Sequence, residues 1–369
     1  MSVLYPHGQE LAVDAIDKLR RNIDEIDAEI LKLLNQRAEL AVDIGKEKSK
    51  RQVPYHVPER EREIYERLER LNEGPFNNES LRAVFREIFS ATLSLEEPLT
   101  VAYLGPRATF THQACLEQFG LSARFLPFHS IQEVFEEVER DRVQYGVIPI
   151  ENTIEGVVNH TLDMFVDSNL LICGEVSMEI SHNLLAQADD IGAVTKIYSH
   201  PHAIAQCRGW LENHLPSVPI YEVSSTGKAA ELALEEPTAA AVASEAAAHI
   251  YGLKILKKRI EDHLHNFTRF LVIGKTSAGR SGGDKTSVLF SIKDRVGALH
   301  AMLEPFASHG INLTKIESRP SRTKVWEYVF FVDLEGHIDD KEVGEALDQL
   351  AEKCLFLKVL GSYPRSVTQ

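Results

Sequence analysis

Asn266-Phe267-Thr268-Arg269-Phe270 runs directly into the apolar stretch Leu271-Val272-Ile273-Gly274. Three apolar residues before a glycine read as the end of a buried strand. A hydroxyl and a guanidinium just ahead of it would be held on rigid backbone, facing a cleft. Such a pair can hydrogen-bond a leaving group and raise the local positive potential. Taken alone, the same pair is also what a surface strand entry with a solvated arginine looks like.

A second reactive arrangement lies near the start. Ile16, Leu19, Ile23, Ile26, Ile30, Leu33, then Leu40 and Ile44 step by three and four, and Arg37 fills the missing place in this heptad seam. An arginine there is costly unless something anionic meets it, either a glutamate of the bundle or a ligand. Lys48 lies on nearly the same face roughly 16 Å further on, and Arg20 about 25 Å the other way. No small ligand touches all three on one straight helix. Antiparallel pairing with a second chain would bring Arg37 of one beside Arg20 and Lys48 of the other, so a homo-oligomer is expected.

Other candidates are weaker. Ser199-His200-Pro201, Ser224-Ser225-Thr226 and Ala243-Ser244-Glu245 set hydroxyls where strands end and helices begin. Each is an ordinary N-cap; several on one side of a sheet would aim N–H groups at a cleft, which suits carboxylates. His200/His202 and His263/His265 have His-x-His spacing, but lack a further ligand pair, so no metal is expected. No Gly-x-Gly-x-x-Gly or Walker pattern occurs, and no cofactor is expected.

The bulk numbers restrict the partners. A net charge of -15 without a basic stripe argues against nucleic acid. Four scattered cysteines predict reduced thiols, and the first ten residues lack a leader pattern, so a cytoplasmic protein is expected. No run reaches membrane length.

Three modules must position these groups in the 369 residues. Residues 1–97 read as helical: a helix from about Leu11 to Lys48, a second opened by Pro58-Glu59-Arg60-Glu61, and a third over about Glu79 to Glu96. Residues 98–275 alternate apolar strands with amphipathic helices, an α/β layout in two lobes with a cleft between. Residues 276–284 are Ser/Gly-rich and read as a flexible linker. Residues 285–369 follow a β-α-β-β-α-β order, the ferredoxin-like arrangement, with strands expected at Ser287-Lys293, Asn312-Ser318, Val325-Asp333 and Phe356-Gly361.

With Leu19-Arg20, Gln36-Arg37-x-Glu39-Leu40-Ala41, Gly45-Lys46-x-Lys48 and Pro58-Glu59-Arg60-Glu61, the first module resembles the all-helical chorismate mutases. The resemblance implies that Arg20, Arg37, Lys48 and Arg60 hold a dicarboxylate, Glu61 the ring hydroxyl, and that Thr92 and Glu96 close the site. Val57 and Glu96 depart from the best-known pattern. A carboxylate would repel the substrate's ether oxygen, so the mutase rate is expected to decline as rising pH takes the proton from Glu96.

Leu104-Gly105-Pro106, Pro149-Ile150-Glu151-Asn152-Thr153, Tyr198-Ser199-His200-Pro201, Ala243-Ser244-Glu245-Ala246 and the Asn266 motif, in this order, look like prephenate dehydratase. The family's functional positions then fall on Asn159, Ser199, Gln206, Thr268 and Arg269, with Thr268 pivotal. The last module resembles an ACT domain of the phenylalanine-responsive type, on Gly297-Ala298-Leu299-His300 and Glu317-Ser318-Arg319-Pro320. That implies L-phenylalanine bound between two such domains as a feedback inhibitor. The reading is a chorismate mutase and prephenate dehydratase of phenylalanine biosynthesis, dimeric or tetrameric. An arogenate-preferring enzyme, or a two-lobed sensor without catalysis, are the other readings.

Overall fold

The computed structural model describes residues 8–51, 58–293, 295–320 and 328–366. Val57 and the predicted strand start at Val325 lie outside them. Helix α1 (Gly8–Arg51) is followed by α2 (Pro58–Leu71) and α3 (Asn78–Glu96). Asn77 caps α3, accepting the Ser80 N–H at 2.7 Å. Much of the α1 seam is left uncovered by the described residues: Leu19, Ile23 and Ile26 are each more than half exposed.

The α/β unit has two lobes. Lobe one contains β1 (Thr100–Leu104), α4 (Phe110–Phe119), β2 (Arg124–Phe128), α5 (Ile131–Glu139), β3 (Tyr145–Asn152), β4 (Gly156–Val157), α6 (Asn159–Asp167) and β5 (Leu171–Glu179). Lobe two runs through β6 (Asn183–Ala186), β7 (Lys196–Ser199), α7 (Pro201–Gln206), α8 (Arg208–His214), β8 (Ile220–Glu222), α9 (Thr226–Glu235), β9 (Ala239–Ala243), α10 (Glu245–Tyr251) and β10 (Lys254–Lys257). The chain then returns as β11 (Phe267–Gly274), between β3 and β5 and antiparallel to both. The sheet orders are β2-β1-β3-β11-β5, with β4 on β3, and β10-β6-β9-β7-β8. β4, β6, β10 and α6 escape the sequence pattern because they are short or weakly periodic. Helices α7 and α8 are parted at Cys207.

The lobes touch where α9 begins. A Cβ on Gly227 would strike the Arg107 carbonyl, and Ala108 of the same lobe-one loop sits in the lobe-two core with Leu185, Ala229 and Ala241.

The last module is β12 (Asp284–Ile292), α11 (Ala298–Ser308), β13 (Leu313–Pro320), β14 (Tyr328–Glu335), α12 (Lys341–Lys353) and β15 (Phe356–Pro364), with sheet order β13-β14-β12-β15. Its sheet shares a core with lobe one: Leu289, Phe331 and Leu360 meet Ile148, Ile172 and Leu271. Gly361 permits the approach, since a Cβ there would strike the Ile172 carbonyl. The Ser/Gly stretch expected to be a free linker is instead held. Arg62 of α2 donates to Ser281 Oγ (3.1 Å) and the Gly283 carbonyl (3.0 Å), and Ala278 is buried.

Candidate functional site

In the helical module, Thr92 and Glu96 lie four residues apart on α3 and so share a face. That face meets α1. Arg37 donates to Thr92 Oγ1 at 2.7 Å, with its guanidinium 5.1 Å from the centre of the Phe89 ring. Lys48 stands 3.3 Å from Glu96. Gly45 allows the helices this close, for a Cβ there would lie 3.0 Å from that of Glu96. Burial pulls the Arg37 guanidinium below its ordinary value, while Glu96 and then Glu61 oppose the pull. Arg37, Lys48, Glu61, Thr92 and Glu96 therefore gather in one chain. Arg20 and Arg60 do not join them; each is exposed and paired with a neighbour on its own helix, Asp17 at 3.3 Å and Glu63 at 2.6 Å.

Where the two lobes join, β3 and β11 end side by side, with Asn152 opposite Thr268 and Glu151 opposite Arg269. Asn152 Nδ2 donates to Thr268 Oγ1 and Asn266 Oδ1, both at 2.7 Å, while its Oδ1 accepts the N–H groups of Ile154 and Glu155. Asn266 Nδ2 donates to Gln206 Oε1 at 2.9 Å, and His182 Nε2 meets the same oxygen at 2.8 Å. An amide oxygen only accepts, so His182 carries its proton on Nε2. Its buried Nδ1 has no hydrogen-bond partner among the described residues, and burial holds the imidazole below its usual range.

Thr268 and Gln206 thus belong to one polar network. Ser199 is fully buried and donates to the Val242 carbonyl at 2.7 Å, while Asn159 stands exposed at the head of α6, outside the network. Asn152 is one of the members, with Asn266 and His182, that sequence reasoning left without a role. Its signal was its place at the end of a strand in the Pro149–Thr153 motif, but only pairing with β11 brings it to Thr268.

Arg269 corrects an expectation. Successive strand residues face opposite ways, so with Thr268 toward Asn152, Arg269 points into the contact with the last module. It is 8% exposed and engaged on every side: Glu175 at 2.6 Å, Glu151 at 3.0 Å, Asp333 at 2.5 Å and the Tyr363 hydroxyl at 2.9 Å. Burial alone would lower its pKa, but the surrounding groups, Asp333 and Glu175 among them, hold it above its ordinary value. Burial likewise works to raise Glu175, and Arg269 and Lys285 keep it below the usual carboxylate range. Arg269 lends the cleft no free positive charge.

In the last module Gly297 adopts φ +78 at the head of α11, beside a small cavity lined by Ile292, Ala298, Leu299, Tyr328 and Phe330. Glu317, Ser318, Arg319 and Pro320 close β13, with Ser318 opposite Phe330 and Pro320 opposite Tyr328 of β14. Their side chains alternate, Ser318 and Pro320 exposed, Glu317 and Arg319 half-buried. Arg319 reaches across to Asp163 of α6 at 3.4 Å. His202 pairs with Glu155 at 3.4 Å, and among the described residues no group of three or more His, Cys, Asp or Glu side chains forms a metal site. No described helix is long and apolar enough to cross a membrane.

Three family models match: chorismate mutase type II over residues 19–97, prephenate dehydratase over 101–278, and ACT domain over 286–352. The bifunctional chorismate mutase/prephenate dehydratase of Aquifex aeolicus is 58% identical over 97% of this chain and 100% of its own length. That of Pseudomonas aeruginosa is 44% identical over 96% and 99%. Among solved structures, the prephenate dehydratase of Arthrobacter aurescens in complex with L-Phe is 35% identical, with a TM-score of 0.67 over 73% of this chain and 91% of that one.

Proposed function

The chain belongs to the bifunctional chorismate mutase/prephenate dehydratases, and we propose how its residues divide the work. The helical module rearranges chorismate to prephenate, and the α/β module converts prephenate to phenylpyruvate, in phenylalanine biosynthesis.

The first reaction is pericyclic, so the protein needs only to hold the folded substrate and to stabilise charge growing on its ether oxygen. Arg37 takes a carboxylate and Glu61 the ring hydroxyl. Lys48 and Glu96, 3.3 Å apart, face the ether oxygen. Arg20 comes from a second chain, and Arg60 exchanges its exposed Glu63 partner for substrate. The uncovered α1 seam supports that second chain. Reduced cysteines, all four without a disulfide, suit a cytoplasmic enzyme.

In the second reaction, the bond to the departing carboxylate releases its electron pair into the ring. The ring C–O bond breaks, and the oxygen leaves as water after gaining one proton. Asn152 donates to Thr268 Oγ1, which leaves the threonine hydrogen to point at the leaving hydroxyl. That 2.7 Å contact carries the reading. Gln206 orders Asn266 behind it, Ser199 shapes the lobe-two wall, and Asn159 meets substrate from the rim. L-phenylalanine binds between two ACT domains, at the Gly297-Ala298-Leu299 turn of one and Glu317-Ser318-Arg319-Pro320 of the other, and lowers dehydratase activity. Calorimetry showing no phenylalanine binding would end that part.

Purified protein given chorismate should form phenylpyruvate, and given prephenate should turn it over faster than arogenate. Thr268→Ala should stop at prephenate. Phenylpyruvate formation by Thr268→Ala at the wild-type rate would refute the assignment.

A further inference from the structure

Each strand of the ACT sheet sends one polar side chain to the back of the dehydratase site. Lys285 comes from β12, Lys315 from β13, Asp333 from β14 and Tyr363 from β15. Lys285 meets Glu175 at 2.9 Å, Lys315 meets Glu151, and Asp333 and Tyr363 both meet Arg269. Ser287 joins Tyr363 at 2.6 Å and also Asp333. Three cations (Arg269, Lys285, Lys315) face three anions (Glu151, Glu175, Asp333), with Asp333 and Tyr363 fully buried.

Two of the three dehydratase members of this cluster are chain neighbours of site residues: Glu151 precedes Asn152 and Arg269 follows Thr268. A backbone shift that moves one residue of such a pair moves the other. The same ACT strands reach the effector turn, for Tyr328 and Phe330 of β14 line the cavity beside Gly297. Tyr328 and Asp333 are five residues apart, about 17 Å along a strand. A buried charge network resists gradual distortion, since parting one pair leaves an uncompensated charge. It therefore moves as a unit or not at all.

We propose that Asp333 and Tyr363 act through Arg269 as the relay that carries effector occupancy of the ACT domain to the dehydratase cleft. The inference rests on phenylalanine being the effector of this chain.

The test uses full-length wild type, Asp333→Asn and Tyr363→Phe, with phenylalanine binding followed by calorimetry and both activities assayed. Both variants should bind phenylalanine and keep their basal dehydratase rate. Their inhibition should weaken about tenfold or more, within the range of ordinary allosteric coupling. Mutase activity reports folding; if Asp333→Asn loses it, Tyr363→Phe, which lacks one hydroxyl only, decides. Wild-type inhibition in the variants would overturn the proposal, as would a variant with intact mutase but no basal dehydratase, because the cluster would then be structural cement. Failure of the wild type to bind phenylalanine would instead strike the effector reading, and the proposal with it.

Discussion

Thr268 meets Asn152 through a cross-strand pair, whereas its chain neighbour Arg269 meets four groups on the other side of the sheet. The chemistry of Thr268 depends on which way its hydrogen points. While Asn152 donates into Oγ1, that hydrogen is free for the substrate. Replacing Asn152 by Ala should lower dehydratase kcat about 10²-fold, the scale of losing one preorganised donor. Asn152→Asp should be worse, because a carboxylate would draw the threonine hydrogen to itself. Mutase activity should not change in either. If Asn152→Asp kept its dehydratase kcat, Thr268 would not be oriented by this contact.

At the scale of elements, the contact between lobes hangs on the loop before α4. His112 of α4 is buried, accepts the Ala108 N–H at Nδ1 (3.3 Å) and stacks on Tyr103, with ring centres 5.0 Å apart. Burial, aided by Arg107, pushes this imidazole down to about 4. The unfolded chain takes up the proton near pH 6.5, so its unfolded state binds more protons across that interval. His112 therefore contributes stability that is complete above about pH 6.5 and lost as pH falls toward 4. Protonation would also remove the acceptor for Ala108. The thermal stability of wild type should fall between about pH 7 and pH 5, and His112→Gln should show a shallower decline from a lower start. Equal slopes would clear His112 of this role.

For the whole molecule, α1 leaves an apolar face exposed in the single chain. Ile23 and Ile26 are 57% and 55% exposed, and burying such a side chain stabilises by about 1.5–3 kcal/mol. In a two-fold dimer each substitution counts twice. Ile26→Glu should reduce the sedimentation mass and abolish mutase activity by removing the partner's Arg20, while added prephenate is still dehydrated. A variant that stayed oligomeric with full mutase activity would disprove pairing through this seam.

Local periodicity made much of this legible. Steps of three and four mark α1 and place Arg37 on its seam, and the apolar run after Thr268 marks a buried strand, because a side chain's direction follows from its position in the repeat. The order of elements likewise announces three modules. The partners of those side chains were decided elsewhere. Strand parity separates Thr268 from Arg269, yet nothing local says that Asn152, over a hundred residues earlier, lies beside the threonine, or that Asp333 and Tyr363 cover the arginine. The Ser/Gly stretch reads as a tether by composition and is held by Arg62 of a distant helix. Register between remote strands and the docking of one sheet on another arise from contacts between distant parts of the chain, which only the folded molecule brings together.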